Sequence, residues 1–385
     1  MVSLSDNYNF IESIEDIESK NWNDCVGFDH PFTRYEYLYA LEKSGSASPK
    51  TGWKPFHYIE KNSLGEIIAV CPLYIKSHSF GEYIFDHAWA QAYHRNGLNY
   101  YPKLQSAIPF TPVTGERIII KNNIKDKLSK KIQIINNIVK KTKTLNVSSL
   151  HFNFVPDPNK IKNKISKVSI RQGIQFHWKN NGYESFNEFL NTLSSRKRKL
   201  IKKERLCLSK NNLKVKLFTG SNIKIKHLDF FYNCYLNTTG RKWGSNYLSK
   251  DFFLELGKSF SDKILLIIAF NDKNEMIASA INFISPTHLY GRMWGSVIQI
   301  PFLHFEICYY QAIEYAIKNK IQVIEAGAQG DHKIQRGYMP ENTWSIHWIK
   351  DSRFKKAINH YLDQEMSLIE KEKINLEQFA PYKQN

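Results

Sequence analysis

Apolar and polar positions along the chain repeat with two periods, near 2 and near 3.6 residues, and the switches between them mark the elements. Residues 10 to 20 set apolar side chains among acidic ones at helical spacing, and Phe32 to Lys43 makes a second helix ended by Gly45. Phe56 to Ile59, Ile67 to Lys76 and Tyr83 to Trp89 read as three antiparallel strands, joined through Asn62-Ser-Leu-Gly65 and through His78 to Gly81. Tyr93 to Thr114, rich in Tyr, Pro and Gly, is predicted to be a rigid loop. A basic amphipathic helix over Ile124 to Lys143, a strand Leu150 to Val155, a short helix within Asp157 to Val168 and a strand Arg171 to Trp178 follow.

The second half begins with helices over Ser185 to Leu193 and Ser194 to Leu208, a strand Leu213 to Phe218, and helices Lys224 to Leu236 and Phe252 to Phe260. Three strands come next: Lys263 to Phe270, Glu275 to Ile284 and Leu289 to Trp294. Pro301 then opens an apolar helix from Phe302 to about Lys318, because proline in a first turn forfeits no intrahelical bond. A strand Ile321 to Glu325 ends in a carboxylate, and Phe354 to Lys373 closes the chain as an amphipathic helix. The two halves match in order. A strand, Asn62-Ser-Leu-Gly-Glu66, a second strand and a third strand ending at Trp89 are echoed by a strand, Asn271-Asp-Lys-Asn-Glu275, a second strand and a third ending at Trp294. We expect two copies of one α/β unit, at 1–180 and 181–385.

The densest chemistry lies in the loop 325–338, Glu325-Ala-Gly-Ala-Gln-Gly-Asp-His-Lys-Ile-Gln-Arg-Gly-Tyr338. A charge at the carboxyl end of a strand in a βαβ-like unit stands where α/β sheets place ligands. Asp331 as N-cap and Gly337 as C′ residue would frame one turn carrying His332, Lys333 and Arg336, with His332 and Arg336 on one face. One reading is an acid/base group, Glu325 or His332, beside cations that hold an anionic substrate. The other is a surface loop in which Glu325 pairs with Lys333 or Arg336.

Composition adds bounds. The 385 residues are 42% hydrophobic and 14% aromatic, enough for a sizeable core. The formal charge of +18 favours an anionic partner, although much of it is Lys accompanied by many Asn and Ile. Cys25, Cys71, Cys207, Cys234 and Cys308 form no Cys-x-x-Cys pair and no zinc spacing, so buried thiols are expected and no metal. No run reaches the roughly 20 apolar residues that span a bilayer. A soluble, reduced, cytoplasmic protein is the expectation.

Several runs resemble a known family: His30-Pro-Phe-Thr33, Pro72-Leu-Tyr-Ile-Lys-Ser-His78, Gly81-Glu-Tyr-Ile-Phe-Asp86, Tyr100-Tyr-Pro-Lys-Leu104, Pro109-Phe-Thr-Pro-Val-Thr-Gly115, Leu193-Ser-Ser-Arg-Lys-Arg198, Arg241-Lys-Trp-Gly244, Pro301-Phe-Leu-His-Phe-Glu306 and Glu325-Ala-Gly-Ala-Gln-Gly330. They are similar to the bacterial family named for peptidoglycan biosynthesis or recognition, which is grouped with GNAT acyltransferases and is distantly similar to Fem-type aminoacyltransferases. The resemblance covers nearly the whole chain. It implies tandem GNAT-like units, each a mostly antiparallel mixed sheet flanked by helices, and transfer of an acyl or aminoacyl group to an amine. The implied donor is acyl-CoA or another thioester, or a charged tRNA; the implied acceptor is an amine, with peptidoglycan precursors as the candidate and DNA not implied.

The sequence departs from the GNAT pattern where coenzyme A pyrophosphate is held, on an Arg/Gln-x-x-Gly-x-Gly/Ala turn entering a helix. Gly291-Arg-Met-Trp-Gly295-Ser-Val-Ile-Gln-Ile and Ala90 to Gly97 stand there instead. Under the resemblance, Glu325, relayed through His332, accepts the amine proton, while Lys333, Arg336 and Arg292 hold phosphates. Arg196 and Arg198 of a basic helix are further phosphate candidates, against a solvated helix face. Asp86, Trp89, His94, Tyr100 and Lys103 are candidates for lining a cleft, and His304 and Glu306 for a base or a helix cap. The reading from another class is a non-catalytic double-GNAT binder of cell-wall precursors or RNA.

Overall fold

The structure is a computed structural model and describes residues 7–162, 164–165, 168–242, 246–328 and 330–383. Its strands are β1 (Tyr8–Ile11), β2 (Trp53–Pro55), β3 (His57–Lys61), β4 (Ile67–Cys71), β5 (Tyr74–Lys76), β6 (Lys103–Ser106), β7 (Ile119–Ile120), β8 (Ser149–Val155), β9 (Val168–Lys179), β10 (Lys214–Phe218), β11 (Ile264–Phe270), β12 (Met276–Ile284), β13 (His288–Ser296), β14 (Val323–Glu325) and β15 (Met339–Ile349). They belong to two compact units. The first comprises Met1–Gly173 and Asn342–Glu370, the second Ile174–Glu341 and Lys371–Asn385. The single cut expected at 180/181 is thus three crossings, inside β9, inside β15 and inside the helix Ser352–Glu377.

In the first unit one sheet runs β15-β8-β6-β5-β2 and a second β1-β3-β4-β7. Within the larger sheet β6 and β8 are parallel and the other pairs antiparallel. The helix Lys127–Thr144 is the crossover between the parallel strands, and it buries Ile134, Ile135 and Ile138 against Leu104, Leu150, Phe152, Ile346 and Trp348. Because side chains alternate along a strand, the opposite face belongs to Trp53, Tyr74, Lys76, Lys103, Gln105, Ser149, His151, Ser345 and His347. All of these are buried. One face of the sheet is therefore an apolar core and the other a buried polar layer.

The second unit runs β10-β11-β12-β13-β14-β9, antiparallel except for β13 and β14. Its core joins β11, whose Ile264–Phe270 is buried at every position, to the helical segment Leu303–Lys318 through Ile307, Tyr310, Ile313 and Ala316. Each unit thus holds a mixed, mostly antiparallel sheet with one βαβ crossover. The hairpin echo is exact in its bonding: the Asn62 side-chain oxygen accepts from Glu66 N, and that of Asn271 from Glu275 N, at 2.9 and 2.8 Å.

Three expectations are corrected. Residues 10–20 hold the end of β1 and a short 3-10 turn, with the helix only at Ser19–Val26. Tyr83 to Trp89 is no strand: Trp89 and His94 sit on the helix His87–Arg95, and the first unit's counterpart of β13 is β6. Pro301 does not open its helix, since Phe302 takes a left-handed φ of 67° before the helix starts at Leu303, and Glu306–Tyr310 is a π turn. Of the quoted motifs, Trp243, Gly244 and Gln329 lie outside the described residues, as do 163, 166 and 167 in the segment Asp157 to Val168.

Candidate active site in the second unit

Strands β13 and β14 are paired only over His288–Val323, Leu289–Ile324 and Tyr290–Glu325. Beyond Tyr290 they part, for β14 ends while β13 runs on to Ser296. The pairing of β12 with β13 shifts at the same place: Ile281 faces Met293 and Asn282 faces Gly291, so Arg292 is the extra residue of a bulge. A bulge bends a strand and re-aims a side chain. It turns the Arg292 guanidinium inward, where it stands 3.9 Å from Glu325 with both side chains about 3% exposed.

Glu325 is flanked by register partners on both sides, Tyr290 of β13 and His177 of β9. The His177 imidazole is held near pKa 3, chiefly by burial and then by the charges of His288 and Arg292, so it is neutral at physiological pH. The loop beyond Glu325 forms a 3-10 turn over Asp331–Arg336, entered from Gly330 rather than capped by Asp331, and closed by Gly337 at φ 91°. On it Lys333 is buried and donates through Nζ to Gly327 O at 2.9 Å. Burial, with Arg292 second, lowers the Lys333 amine to about 7. An amine, a carboxylate and a guanidinium thus gather where two parallel strands diverge.

The other expected residues are placed as follows. His332 is exposed at the turn, its Nε2 2.9 Å from the Tyr309 hydroxyl. Arg336 is buried and bonded to Glu204 at 2.6 and 3.2 Å, with its Nη1 donating to His332 O. Glu306 and Glu314 both accept from Arg205, so Glu306 is an ion-pair partner. His304 lies over Trp294 with ring centroids 4.4 Å apart. On the basic helix Ser195–Arg205, Arg196 is exposed and Arg198 half-buried, while Ile201 and Glu204 face inward. Asp86, Trp89 and Lys103 belong to the first unit and are buried there.

Gly291 and Gly295 lie inside β13 instead of in a phosphate-binding turn. A Cβ on Gly295 would stand 1.9 Å from Cys234 O, so glycine lets the helix Ile225–Lys242 rest on the strand. At this end of β13 a cavity of about 530 Å³ is lined by Asn237, Thr238, Trp294, Gln299, Ile300 and Leu303, with no charged side chain. Among the described residues no group of His, Cys, Asp or Glu is arranged to hold a metal, and no helix is long and apolar enough to cross a membrane.

Sequence reasoning missed His177, Glu204 and Tyr309. Their roles depend on strand register and helix packing, which leave no local mark.

A model of the FemAB-like family, described as peptidoglycan biosynthesis/recognition, matches residues 13–384. The chain belongs to that family. Its fold is shared by L-PGS from Bacillus licheniformis, 9% identical, with 88% of this chain and 98% of that one covered and a TM-score of 0.51. It is shared also by FemX, 10% identical, covering 91% and 100%, with a TM-score of 0.53. A third is the C-terminal domain of a putative lysylphosphatidylglycerol synthetase from Agrobacterium fabrum, 7% identical, covering 91% and 97%, TM-score 0.53. No curated protein sequence matches this FemAB-like chain.

Proposed function

We propose that the chain is an N-acyltransferase that moves an acyl or aminoacyl group from a thioester such as acyl-CoA, or from a charged tRNA, to an amine, with a peptidoglycan precursor as the acceptor class. The observation that carries this reading is the Lys333 amine, buried at the fork beside Arg292 and near neutral pKa. Acyl transfer by direct attack needs an unprotonated amine, a base, and donors for the carbonyl oxygen. A lysine near pKa 7 is half unprotonated at neutral pH, which suits it as the base. Arg292 has two effects in this scheme: its charge disfavours protonation of Lys333, and it holds the Glu325 carboxylate. Glu325 in turn orients the Arg292 guanidinium.

Past Tyr290 the β14-side edge of β13 has no strand partner among the described residues. That edge suits an extended, amide-bearing donor arm, because a strand edge bonds such groups main chain to main chain. The cavity beyond it, free of charged side chains, suits an uncharged part of a substrate.

The deciding experiment pairs thermal stability with a transfer assay on the full chain, using acyl-CoA thioesters of graded length, free coenzyme A and charged tRNA. A ligand at about 100 times its dissociation constant adds roughly 2.7 kcal/mol. A saturable shift and amine acylation with one donor class support the reading. Binding without transfer to any amine would leave the double-GNAT scaffold as a binder of cell-wall precursors or RNA, and Lys333 without a catalytic role.

A further inference from the structure

The polar face of the first unit's larger sheet carries two buried lysines, Lys76 and Lys103, on adjacent strands at paired positions. Lys103 Nζ donates to Ser79 Oγ at 2.9 Å, to Glu82 at 2.7 Å and to Asp86. Lys76 lies over the Trp53 ring, 3.5 Å from its centroid, and donates to Phe80 O at 3.2 Å. Every one of these partners except Trp53 comes from a single covering segment, residues 77–86. That segment turns through Gly81 at φ 78° and Tyr83 at φ 57°, and it exposes Phe80 and Phe85 on its outer side.

Beneath the cover, polar atoms are left over. Both the Nε2 and Oε1 of Gln105, the Tyr74 hydroxyl, the Trp53 Nε1 and one carboxylate oxygen of Asp86 are buried without a hydrogen-bond partner among the described residues. Gln105 and Tyr74 are direct cross-strand neighbours, and Lys76 and Lys103 are the next pair along. Buried polar atoms are nearly always satisfied, so such a concentration on one sheet face calls for an occupant.

The way the cover is fastened separates a lid from a structural plug. An apolar cover loses its burial energy when it opens, whereas two carboxylates leaving a lysine regain hydration, and an incoming anion restores the lysine's charge partner. Burial lowers Lys103's tendency to hold a proton, but Glu82 and Asp86 outweigh it and keep it charged. Lys76, lacking such a partner at hydrogen-bond distance, is pushed down to about 6 chiefly by burial and stands ready to become a cation beside an anion.

We infer that this face is a ligand site for a small phosphate- or carboxylate-bearing molecule, with Lys103, Lys76, Gln105 and Tyr74 as its contacts. The segment 77–86 is its lid, and Glu82 and Asp86 occupy Lys103 while the site is empty.

The test is calorimetric titration of the full chain with inorganic phosphate and, separately, with acetate, at constant ionic strength against chloride. Hydrogen exchange of residues 77–95 is followed in the same solutions. The expected result is saturable binding of one of the two anions with altered exchange in 77–86, abolished by Lys103→Met. In Glu82→Gln, which removes one competing carboxylate, binding tightens about tenfold, an outcome that a purely structural ion pair does not produce. Should Lys103→Met fail to fold, Glu82→Gln and Gln105→Leu decide, the second weakening binding. No saturable binding of either anion to wild type or Glu82→Gln, or protection of 77–86 equal to that of β5 and β6, would overturn the proposal and leave the orphaned atoms to internal water.

Discussion

His151 and His347, nearly two hundred residues apart in sequence, meet Nδ1 to Nδ1 at 2.7 Å in the buried layer of the first unit. One proton serves that contact, so at least one of the two rings is neutral. The Tyr100 hydroxyl donates to Asp86 at 2.6 Å. His151 Nε2 lies 2.7 Å from the Ser149 hydroxyl and 3.3 Å from that of Tyr100, and His347 Nε2 lies 2.8 Å from the Ser345 hydroxyl. Hydroxyls can donate or accept at either end of this string of contacts. Burial holds both imidazoles neutral.

That neutrality makes the fold acid-sensitive. Burial, then Lys103, holds His151 near pKa 3, burial and His151 hold His347 well below 6.5, and His177 of the second unit also sits near 3. In the unfolded chain each titrates near 6.5, so below that pH the unfolded state binds more protons and stability falls as pH drops toward 3. Urea unfolding at pH 7, 6 and 5 is expected to show the loss. His177→Gln should flatten it by up to about 1.4 kcal/mol per pH unit in that window. An unchanged slope in the variant sinks the assignment.

At the fork the sign is different, because in the proposed reaction the neutral base is what works. With Lys333 near 7, the transfer rate at saturating donor is expected to rise with pH and level off above about 8. Lys333→Met should lower it by about 10²- to 10⁴-fold without that pH dependence. Glu325→Gln should keep the profile's shape while lowering its height. A Lys333→Met variant with an unaltered profile would place the base elsewhere.

Glu204 is 3% exposed and holds Arg336 and the Tyr310 hydroxyl. Removing the cation alone strands a buried carboxylate, and Arg336→Met is expected to cost about 3–5 kcal/mol in urea unfolding. The double replacement with Glu204→Met should recover most of that loss. If the single and double variants lose equally, the pair is not what the site depends on.

Two glycines of one neighbourhood should respond oppositely to alanine. Gly295→Ala drives a methyl into Cys234 O and is expected to cost about 3 kcal/mol or more. Gly240, on the exposed side of the helix Ile225–Lys242 with open space around it, should gain up to about 1 kcal/mol as alanine. Melting temperatures of the two variants check both signs.

What the sequence disclosed depended on how locally each feature is coded. The hairpins at Asn62 and Asn271 were legible because an Asn side chain bonding its own turn needs only neighbours in sequence. The turn over Asp331–Arg336 and its αL Gly337 were legible for the same reason. The strand Lys103–Ser106 was not, since Lys-Leu-Gln-Ser with a fully buried polar side has no hydrophobic alternation to read. Tyr83 to Trp89 misled because its aromatics suit a strand, yet Trp89 and Tyr93 are the inner residues of a helix that is otherwise exposed. Glu325 could be picked out at the end of its strand, but its partner Arg292 depends on a bulge, which leaves no signature in composition.

The interleaving of the two units bears on the order in which the chain matures. During synthesis β8 emerges long before Asn342–Ile349, the stretch of β15 that pairs with it. The whole second-unit segment 174–341 is made in between. Domains generally fold as units as they leave the ribosome, and long-range strand pairing is slow because loop closure must come first. The second unit, with most of its strands contiguous in sequence, can therefore form ahead of the first. Until then His151 waits without its histidine partner. A ribosome-stalled chain with residue 341 just clear of the exit tunnel would be expected to resist protease over 174–341 and yield over its earlier half.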